Sequence, residues 1–529
     1  YKRISLYEVV NSLKEKGINP PILFRFEGII EDRIHQITSA FEEAILQNKY
    51  KNLYRLAFPV KVNQQREVIE AIRTAKKGIS LEVGSKPELL GVLCIHDNEN
   101  GLLLCNGYKD EEFIELALLS KKIGRRPIII IEQFDEIQLV LKVSARLSIE
   151  AEIGFRMKPH TKGSGKWASS SGEATKFGLN IYEIVKGIHL LKNLNKQGWV
   201  KLLHYHMGSQ ITSIGCIEQA MQEASRLFVE IAKLCPTISF FDVGGGLGVD
   251  YEGSHDKGDF SLDYTLKEYA NTIVSIIKKV CDASCINHPE IISESGRAIV
   301  AHHSILVTQV MSVTNSMRLL DRLDHLPSEN SLLKKISDLF HKIAKDTVLQ
   351  DLKEAIVLKE QVVQSFIKGD LTLVERGFAD FAYNQIILKI LMFSKDLNDV
   401  PSQLYELDHK LVDVYYCNFS LFRSLTDSWA IDQIFPVMPL NKLDKQPTQK
   451  AIIVDITCDS DGKIDKFVSA KGVSKTLLLH EFDTSPYYLG LFLVGAYQEI
   501  LGGFHNLFGD TNVVHIDVLE DGSWSLKHD

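Results

Sequence analysis

The chain carries no excess of positive charge, no apolar run long enough to cross a bilayer and no paired cysteine motif. Its 60 Lys and Arg face 68 Asp and Glu, a net charge of -8 with an isoelectric point near 6.1. That balance argues against a nucleic-acid or anionic-membrane surface, which needs a basic excess, and favours small-molecule partners. No apolar stretch approaches the roughly 20 residues of a membrane helix, and Tyr1 to Gly17 reads as an ordinary amphipathic segment rather than an export signal. The eight cysteines are scattered with no C-x-x-C pair, so neither a disulfide framework nor a structural zinc is indicated, and a reducing, cytoplasmic setting is expected. Internal repeats and low-complexity tracts are absent too.

What is present is length and a clear alternation of patterns. With 529 residues and 45% hydrophobic content, several buried cores are expected. From Leu53 to Ser293 short apolar runs alternate with helix-length amphipathic segments, the signature of β/α units on a parallel sheet. Eight strands are expected, at Leu53–Lys61, Ile79–Val83, Leu102–Cys105, Pro127–Glu132, Ser148–Met157, Lys201–His206, Ile238–Val243 and Glu290–Ser293. They predict an α/β fold with a (β/α)8 barrel over residues 20–310, whose site lies at the strand C-terminal ends. The Gly-, Ser- and Lys-rich connection Lys158 to Phe177 reads equally as a lid or a surface insertion. From Arg318 to Leu411 heptad-like spacing (Leu332, Leu333, Ile336, Leu339, Phe340, Ile343) predicts a helical-bundle insert, 316–411. Beyond it a β-rich, sandwich- or barrel-like domain over 412–529, with part of 1–19, is expected to carry the Cys458 and Tyr497 loops.

Several residue groups carry chemistry, each with a plainer alternative. Lys61 ends the first strand; there an amine can lose its proton and attack a carbonyl, for which pyridoxal phosphate is the commonest biological partner, or it can be an ordinary strand-end charge. Gly244, Gly245 and Gly246 follow a strand directly, so that backbone N–H groups can approach a phosphate, or they form a tight turn. His204 and His206 share a strand face. His206 is read as a stacking or hydrogen-bonding group with Ser209 as a phosphate or hydroxyl partner, and His204 as a satisfied barrel-wall histidine. Glu294 and Arg297 lie three residues apart at the last strand's end: a carboxylate that could hold a pyridine nitrogen protonated and a guanidinium matched to phosphate, or a surface pair. Cys458, Asp459 and Asp461 supply a thiol acid and two carboxylates in one turn, with a calcium-loop fragment as the alternative. Tyr497 sits among small residues and is more often core than ligand.

The order and spacing of FPVKVNQ from Phe58, LEVGSKPEL from Leu81, LCNGYKD from Leu104, GSGKW from Gly163, KFGLN from Lys176, HMGSQ from His206, FDVGGGLGVDYEG from Phe241, SESGRAIVAHH from Ser293, NFSLF from Asn418, DITCDSDG from Asp455 and GAYQEILG from Gly495 carry a resemblance. From about Leu6 to Leu519 the chain resembles the fold-type III pyridoxal-phosphate decarboxylases, most closely the biosynthetic arginine decarboxylases. The resemblance implies that Lys61 binds the cofactor aldehyde, His206 stacks on the pyridine face and Glu294 pairs with the ring nitrogen. It gives Ser209, Gly244, Gly245, Gly246, Gly296, Arg297 and Tyr497 to the phosphate. Cys458, as proton donor, and Asp459 would reach into the partner subunit's site, making a homodimer with shared sites the minimal unit and a tetramer the larger alternative. Asp459 or Asp461, together with Gly248, are the expected substrate contacts. A magnesium ion is implied as well, with no ligand set visible. Longer members carry a C-terminal helical extension that does not follow here before Asp529, which leaves the larger assembly open. The expected activity is decarboxylation of L-arginine to agmatine and CO2 in polyamine and spermidine biosynthesis. The rivals are decarboxylation of diaminopimelate, ornithine or lysine, and a catalytically inactive regulatory homologue; the insert and the Cys458–Asp461 string favour arginine, while Lys61 and Cys458 favour an enzyme.

Overall fold

The computed structural model describes the chain apart from residues 1–2, 96–99, 161–175, 177, 257, 315–322, 324–328, 395–403, 405–406, 408–411, 471 and 529. Most of the connection expected between Lys158 and Phe177 therefore lies outside the described residues.

Eight parallel strands close into a barrel: β2 (Tyr54–Pro59), β3 (Ser80–Val83), β4 (Leu102–Cys105), β5 (Arg126–Ile131), β6 (Ile153–Met157), β7 (Val200–Tyr205), β8 (Phe240–Asp242) and β9 (Glu290–Ser293), with β2 pairing back onto β9. Alternation along the strands sorts the side chains. Ala57, Leu102, Leu104, Ile128, Ile130, Leu202, Phe240 and Ile292 fill the barrel interior as one small cluster, while their neighbours Leu103, Cys105, Ile129, Ile131, Leu203, Phe241 and Ile291 join the larger core beneath the helices. Asp110, Asn180 and Thr265 cap the N-termini of helices Glu111–Ser120, Ile181–Asn193 and Leu266–Ala283, which stops the strand-to-helix loops at defined points.

Several expected strands shift at an end, most by a residue or two, and two of the shifts have a clear local cause. The run starting at Ser148 becomes a strand only at Ile153, because Ser148 takes a left-handed conformation (φ 56°) that ends the preceding helix, Phe134–Leu147. Lys61 is not on a strand: β2 stops at Pro59, whose ring cannot donate to a ladder, and Val60–Val62 forms a single 3-10 turn.

A second, ten-stranded sheet draws on both flanks of the barrel. β1 (Ile22–Arg25) pairs antiparallel with β10 (Ser304–Thr314) and parallel with Asn512–Val518, and β10 also pairs with Asp413–Cys417 and Tyr488–Phe492. The amphipathic start is a helix, Leu6–Glu15, whose Val9, Val10 and Leu13 pack with Tyr488 and Val514 of this sheet. Between the strands of the sheet the helices Ser331–Lys342, Val348–Lys368 and Leu373–Ser394 bury their own core, in which Leu333, Ile336, Leu339, Phe340 and Ile343 are the residues of the expected heptad spacing.

Candidate active site

The chemistry-bearing residues converge on a cavity of about 310 Å3 at the C-terminal ends of the barrel strands. Lys61, Ser209, His206, Gly245, Gly246, Glu294, Gly296, Arg297 and Tyr497 all line it, and so do Glu82, Asn106, Arg156 and His204, which the sequence reading left without a role in the site. The barrel explains most of the gathering: apart from Tyr497, these residues lie on or just after the strands β2, β3, β4, β6, β7, β8 and β9, so residues distant in sequence face one opening.

Lys61 reaches from its one-turn helix to Glu82 of β3, with Nζ 3.0 Å from Oε2. Burial works against the ammonium, but the amine is half-exposed toward the cavity, and the charges of Glu82, Glu294 and Tyr497 prevail, so its pKa is raised. Of the two readings of Lys61, an amine that can lose its proton or a strand-end charge, the ion pair with Glu82 favours the protonated form. Glu82, almost wholly buried, has its own pKa raised by burial against the pull of Lys61.

Glu294 follows β9. His204 Nε2 lies 3.5 Å from its Oε2, and Asn106 donates to Oε1 at 3.2 Å. Burial opposes the Glu294 charge, yet the contact with His204 and the charge of Lys61 outweigh it and lower its pKa. Asp242, at the end of β8, moves the other way: burial and the nearby Glu294 charge raise it well above the carboxylate range, leaving a charged acid beside a neutral one. His204 is indeed buried in the barrel wall, as its plainer reading had it, but it also touches the site. Its ring stacks at 6.5 Å and 19° with that of His206. Burial, with Arg156, His204 and Lys61, pushes His206 down to about 3, so its imidazole is neutral; Nδ1 accepts the Gly245 N–H at 3.2 Å.

The glycine run is a tight turn and a cavity wall together. Gly244 adopts φ +69°, and a Cβ there would come within 2.9 Å of His206 Cα; its N–H goes to Asp242 Oδ1 at 2.8 Å, and it does not line the cavity. Gly245 does, and a Cβ added to it would sit 3.0 Å from the Glu294 carbonyl oxygen and 3.4 Å from the His206 ring. At Gly296 a Cβ would come within 2.6 Å of Val62. Arg297 lies with its guanidinium 4.9 Å from the Tyr497 ring and donates to Tyr251 Oη at 3.1 Å. Gly248 lies outside the cavity: its N–H donates to Tyr264 Oη, and Leu262 fills the space a Cβ would need.

Cys458, Asp459 and Asp461 are not brought to Lys61 within one chain. They lie on an exposed turn after Gln449–Val454, where the Cys458 thiol donates to Asn506 Oδ1 at 3.5 Å and Asp459 pairs with His505.

Comparison with known proteins bears on this geometry. Residues 30–301, the barrel and its flanks, match the pyridoxal binding domain of pyridoxal-dependent decarboxylases, and residues 327–408 match the arginine decarboxylase helical bundle domain. The biosynthetic arginine decarboxylase of a Nostoc species is 43% identical over 99% of this chain and 78% of its own length. The chain belongs to the biosynthetic arginine decarboxylases. Another member of the family, from a Geobacter species, is 44% identical over 97% of this chain and 82% of that protein. The crystal structure of the biosynthetic arginine decarboxylase SpeA from Campylobacter jejuni superposes with a TM-score of 0.87 at 31% identity, covering 100% of this chain and 86% of that one. At 15% identity and a TM-score of 0.63, covering 98% of this chain and 95% of the other, diaminopimelate decarboxylase from Helicobacter pylori shares the fold alone.

Membership makes pyridoxal phosphate the group to test against the cavity. The residues fit it: an amine, a buried charged carboxylate, a neutral imidazole and a guanidinium share one opening, with glycine wherever a Cβ would intrude.

Proposed function

We propose that the chain decarboxylates L-arginine to agmatine and CO2 at the Lys61 cavity, as a step of polyamine and spermidine biosynthesis. The observation that carries the reading is Lys61 Nζ, 3.0 Å from Glu82 in a cavity that Glu294 and Arg297 also line. Pyridoxal phosphate, when bound, supplies an electron sink for the pair left behind by the departing α-carboxylate.

Lys61 would hold the cofactor through its aldehyde, with water as the leaving group, and Glu82 is placed to take the proton that the amine must lose. Glu294, kept charged with the help of Lys61, would hold a proton on the pyridine nitrogen, while His204 and Asn106 fix the carboxylate. His206 offers a flat, neutral face, which stacks without adding a charge that would oppose the ring proton. Ser209, Gly245, Gly246, Gly296, Arg297 and Tyr497 would hold the phosphate, and Gly244 supports them through its turn.

Cys458 returns a proton to the α-carbon, and Asp459 or Asp461 accepts the paired N–H donors of the substrate guanidinium. Because their turn lies away from the chain's own cavity, this role requires the site of a second copy, and hence a homodimer. Eight free cysteines support a reducing, cytoplasmic location. The implied magnesium ion finds little support: among the described residues the one close grouping of three ligand-type side chains is His204, Asp242 and Glu294. That set includes an imidazole nitrogen, and His204 and Glu294 already line the cavity, so it is ill-suited to an ion that prefers octahedral oxygen ligands.

The test is CO2 release by purified, cofactor-loaded protein from L-arginine, L-ornithine, L-lysine and diaminopimelate compared side by side. Preference for arginine is expected; clear preference for another, or release from none, overturns the reading.

A further inference from the structure

The loop that presents Lys61 does not stand alone. Tyr497 N donates to Val62 O at 2.9 Å, and Asn63, wholly buried, donates through Nδ2 to Gly495 O at 3.0 Å and to Glu499 Oε1 at 3.3 Å. Its Oδ1 accepts the Gln65 N–H at 3.2 Å, which closes the loop on its own next turn. Three hydrogen bonds therefore tie residues 62–63 of the barrel to residues 495–499, a segment that follows the sheet strand Tyr488–Phe492.

That segment is itself held. A Cβ at Gly495 would lie 2.0 Å from the carbonyl oxygen of Val300, in the helix that begins with Gly296 and Arg297, so it is pressed against the barrel with no room for a side chain. Tyr497 adopts φ +71°, a left-handed conformation that costs a non-glycine residue energy and persists only where its surroundings enforce it. Behind it, Glu499 Oε2 accepts from Arg25 Nη2 at 2.7 Å. Arg25 ends β1, is 3% exposed, and meets His515 of the neighbouring strand at 3.1 Å. Arg25, Asn63 and Glu499 all lie outside the Lys61 cavity; Arg25 and Glu499 face a separate cavity of about 320 Å3 at the junction of barrel and sheet.

We infer that Asn63 and Glu499, backed by Arg25, are positioning residues. They form a clamp between barrel and sheet that sets Lys61 against Tyr497 and Arg297 without touching the reacting groups. The Lys61 amine comes from the barrel, and Tyr497, beside the Arg297 guanidinium, comes from the segment after the sheet strand Tyr488–Phe492; a small misplacement between an amine and the aldehyde it must meet lowers the rate steeply. The inference rests on the cofactor role proposed for Lys61, not on which amino acid is decarboxylated.

The two oxygens of Glu499 allow the clamp to be separated from simple stability. Glu499→Gln keeps an acceptor for Asn63 but loses the ion pair with Arg25; Glu499→Ala loses both. In the cofactor-loaded protein, the visible circular dichroism of the cofactor reports its orientation, and kcat and KM are measured beside it. The expected order is wild type, then Glu499→Gln, then Glu499→Ala, with Asn63→Ala grouped with the last. The clamp-breaking variants should lose dichroism and fall about a hundredfold in kcat with little change in KM. If both Glu499 variants and Asn63→Ala keep wild-type dichroism and kcat, and only the melting temperature falls, the clamp is merely structural and the inference is wrong. Should Asn63→Ala fail to fold, the comparison of the two Glu499 variants decides. Wild-type protein with normal cofactor dichroism but no release of CO2 from arginine would overturn the substrate reading and leave the clamp standing.

Discussion

Glu82→Gln isolates what the ion pair does to Lys61. At 3.0 Å, two unit charges interact by about 5 kcal/mol at an effective dielectric near 20. Lys61 is half-exposed toward the cavity, so solvent screening reduces this to about 1–3 kcal/mol, or roughly one to two pH units on the amine. The sign follows from the geometry: Glu82 raises the Lys61 pKa, so its removal lowers it. Only the unprotonated amine attacks an aldehyde, so the variant should reach its full rate of cofactor capture at a lower pH. The assay is the rate at which cofactor-free protein takes up pyridoxal phosphate, followed by visible absorbance from neutral to alkaline pH. The position of the profile, and not its height, is the readout, since removing a carboxylate also eases approach of the phosphate at every pH. A Glu82→Gln profile that overlays the wild type, or moves to higher pH, refutes the proposed electrostatics.

Gly245→Ala should leave the fold intact and weaken cofactor binding about tenfold to a hundredfold, because its Cβ would press on the Glu294 carbonyl oxygen at 3.0 Å and crowding of that kind costs about 1–3 kcal/mol; titration of the cofactor-free protein measures it, and unchanged affinity contradicts the glycine cradle. Glu27 opens the helix Glu27–Asn48 and binds His515 and Lys527; the His515 hydrogen bond, against burial and helped by Lys527, lowers its pKa from 4.5 to about 2. A depressed acid stabilises the fold above its ordinary pKa and loses that contribution as pH falls, so Glu27→Gln should flatten the acid limb of the stability curve between pH 4.5 and about 2. The effect is at most about 3 kcal/mol, read by urea denaturation, and an unchanged limb counts against it.

The barrel was legible because β/α alternation is a local signal, and strand C-terminal ends are where a barrel gathers its chemistry. Lys61, His206, the glycine run and Glu294 were all found by that rule. Glu82, Asn106 and Asp242 obey it equally well and were passed over, since a single Glu, Asn or Asp at a strand end has no distinctive composition; the rule applied to every strand end would have found them. The ion pair that raises the Lys61 pKa was out of sight for the same reason, because its partner is Glu82. The ten-stranded sheet was only partly visible. Ile22–Arg25 pairs with Asn512–Val518, and no periodicity within either segment reveals a partner almost five hundred residues away. The positions of Cys458, Asp459 and Asp461 relative to a second copy follow from association, which neither periodicity nor spacing encodes.

The central claim is that Lys61 carries the cofactor in the cavity it shares with Glu82, Glu294 and Arg297. Borohydride reduction of the pyridoxal phosphate-loaded protein, followed by peptide mass spectrometry, tests it most directly. The pyridoxyl phosphate mass should appear on the peptide containing Lys61 and vanish in Lys61→Ala, together with the arginine-dependent release of CO2. Label on another lysine, or an active and still labelled Lys61→Ala protein, would contradict the account.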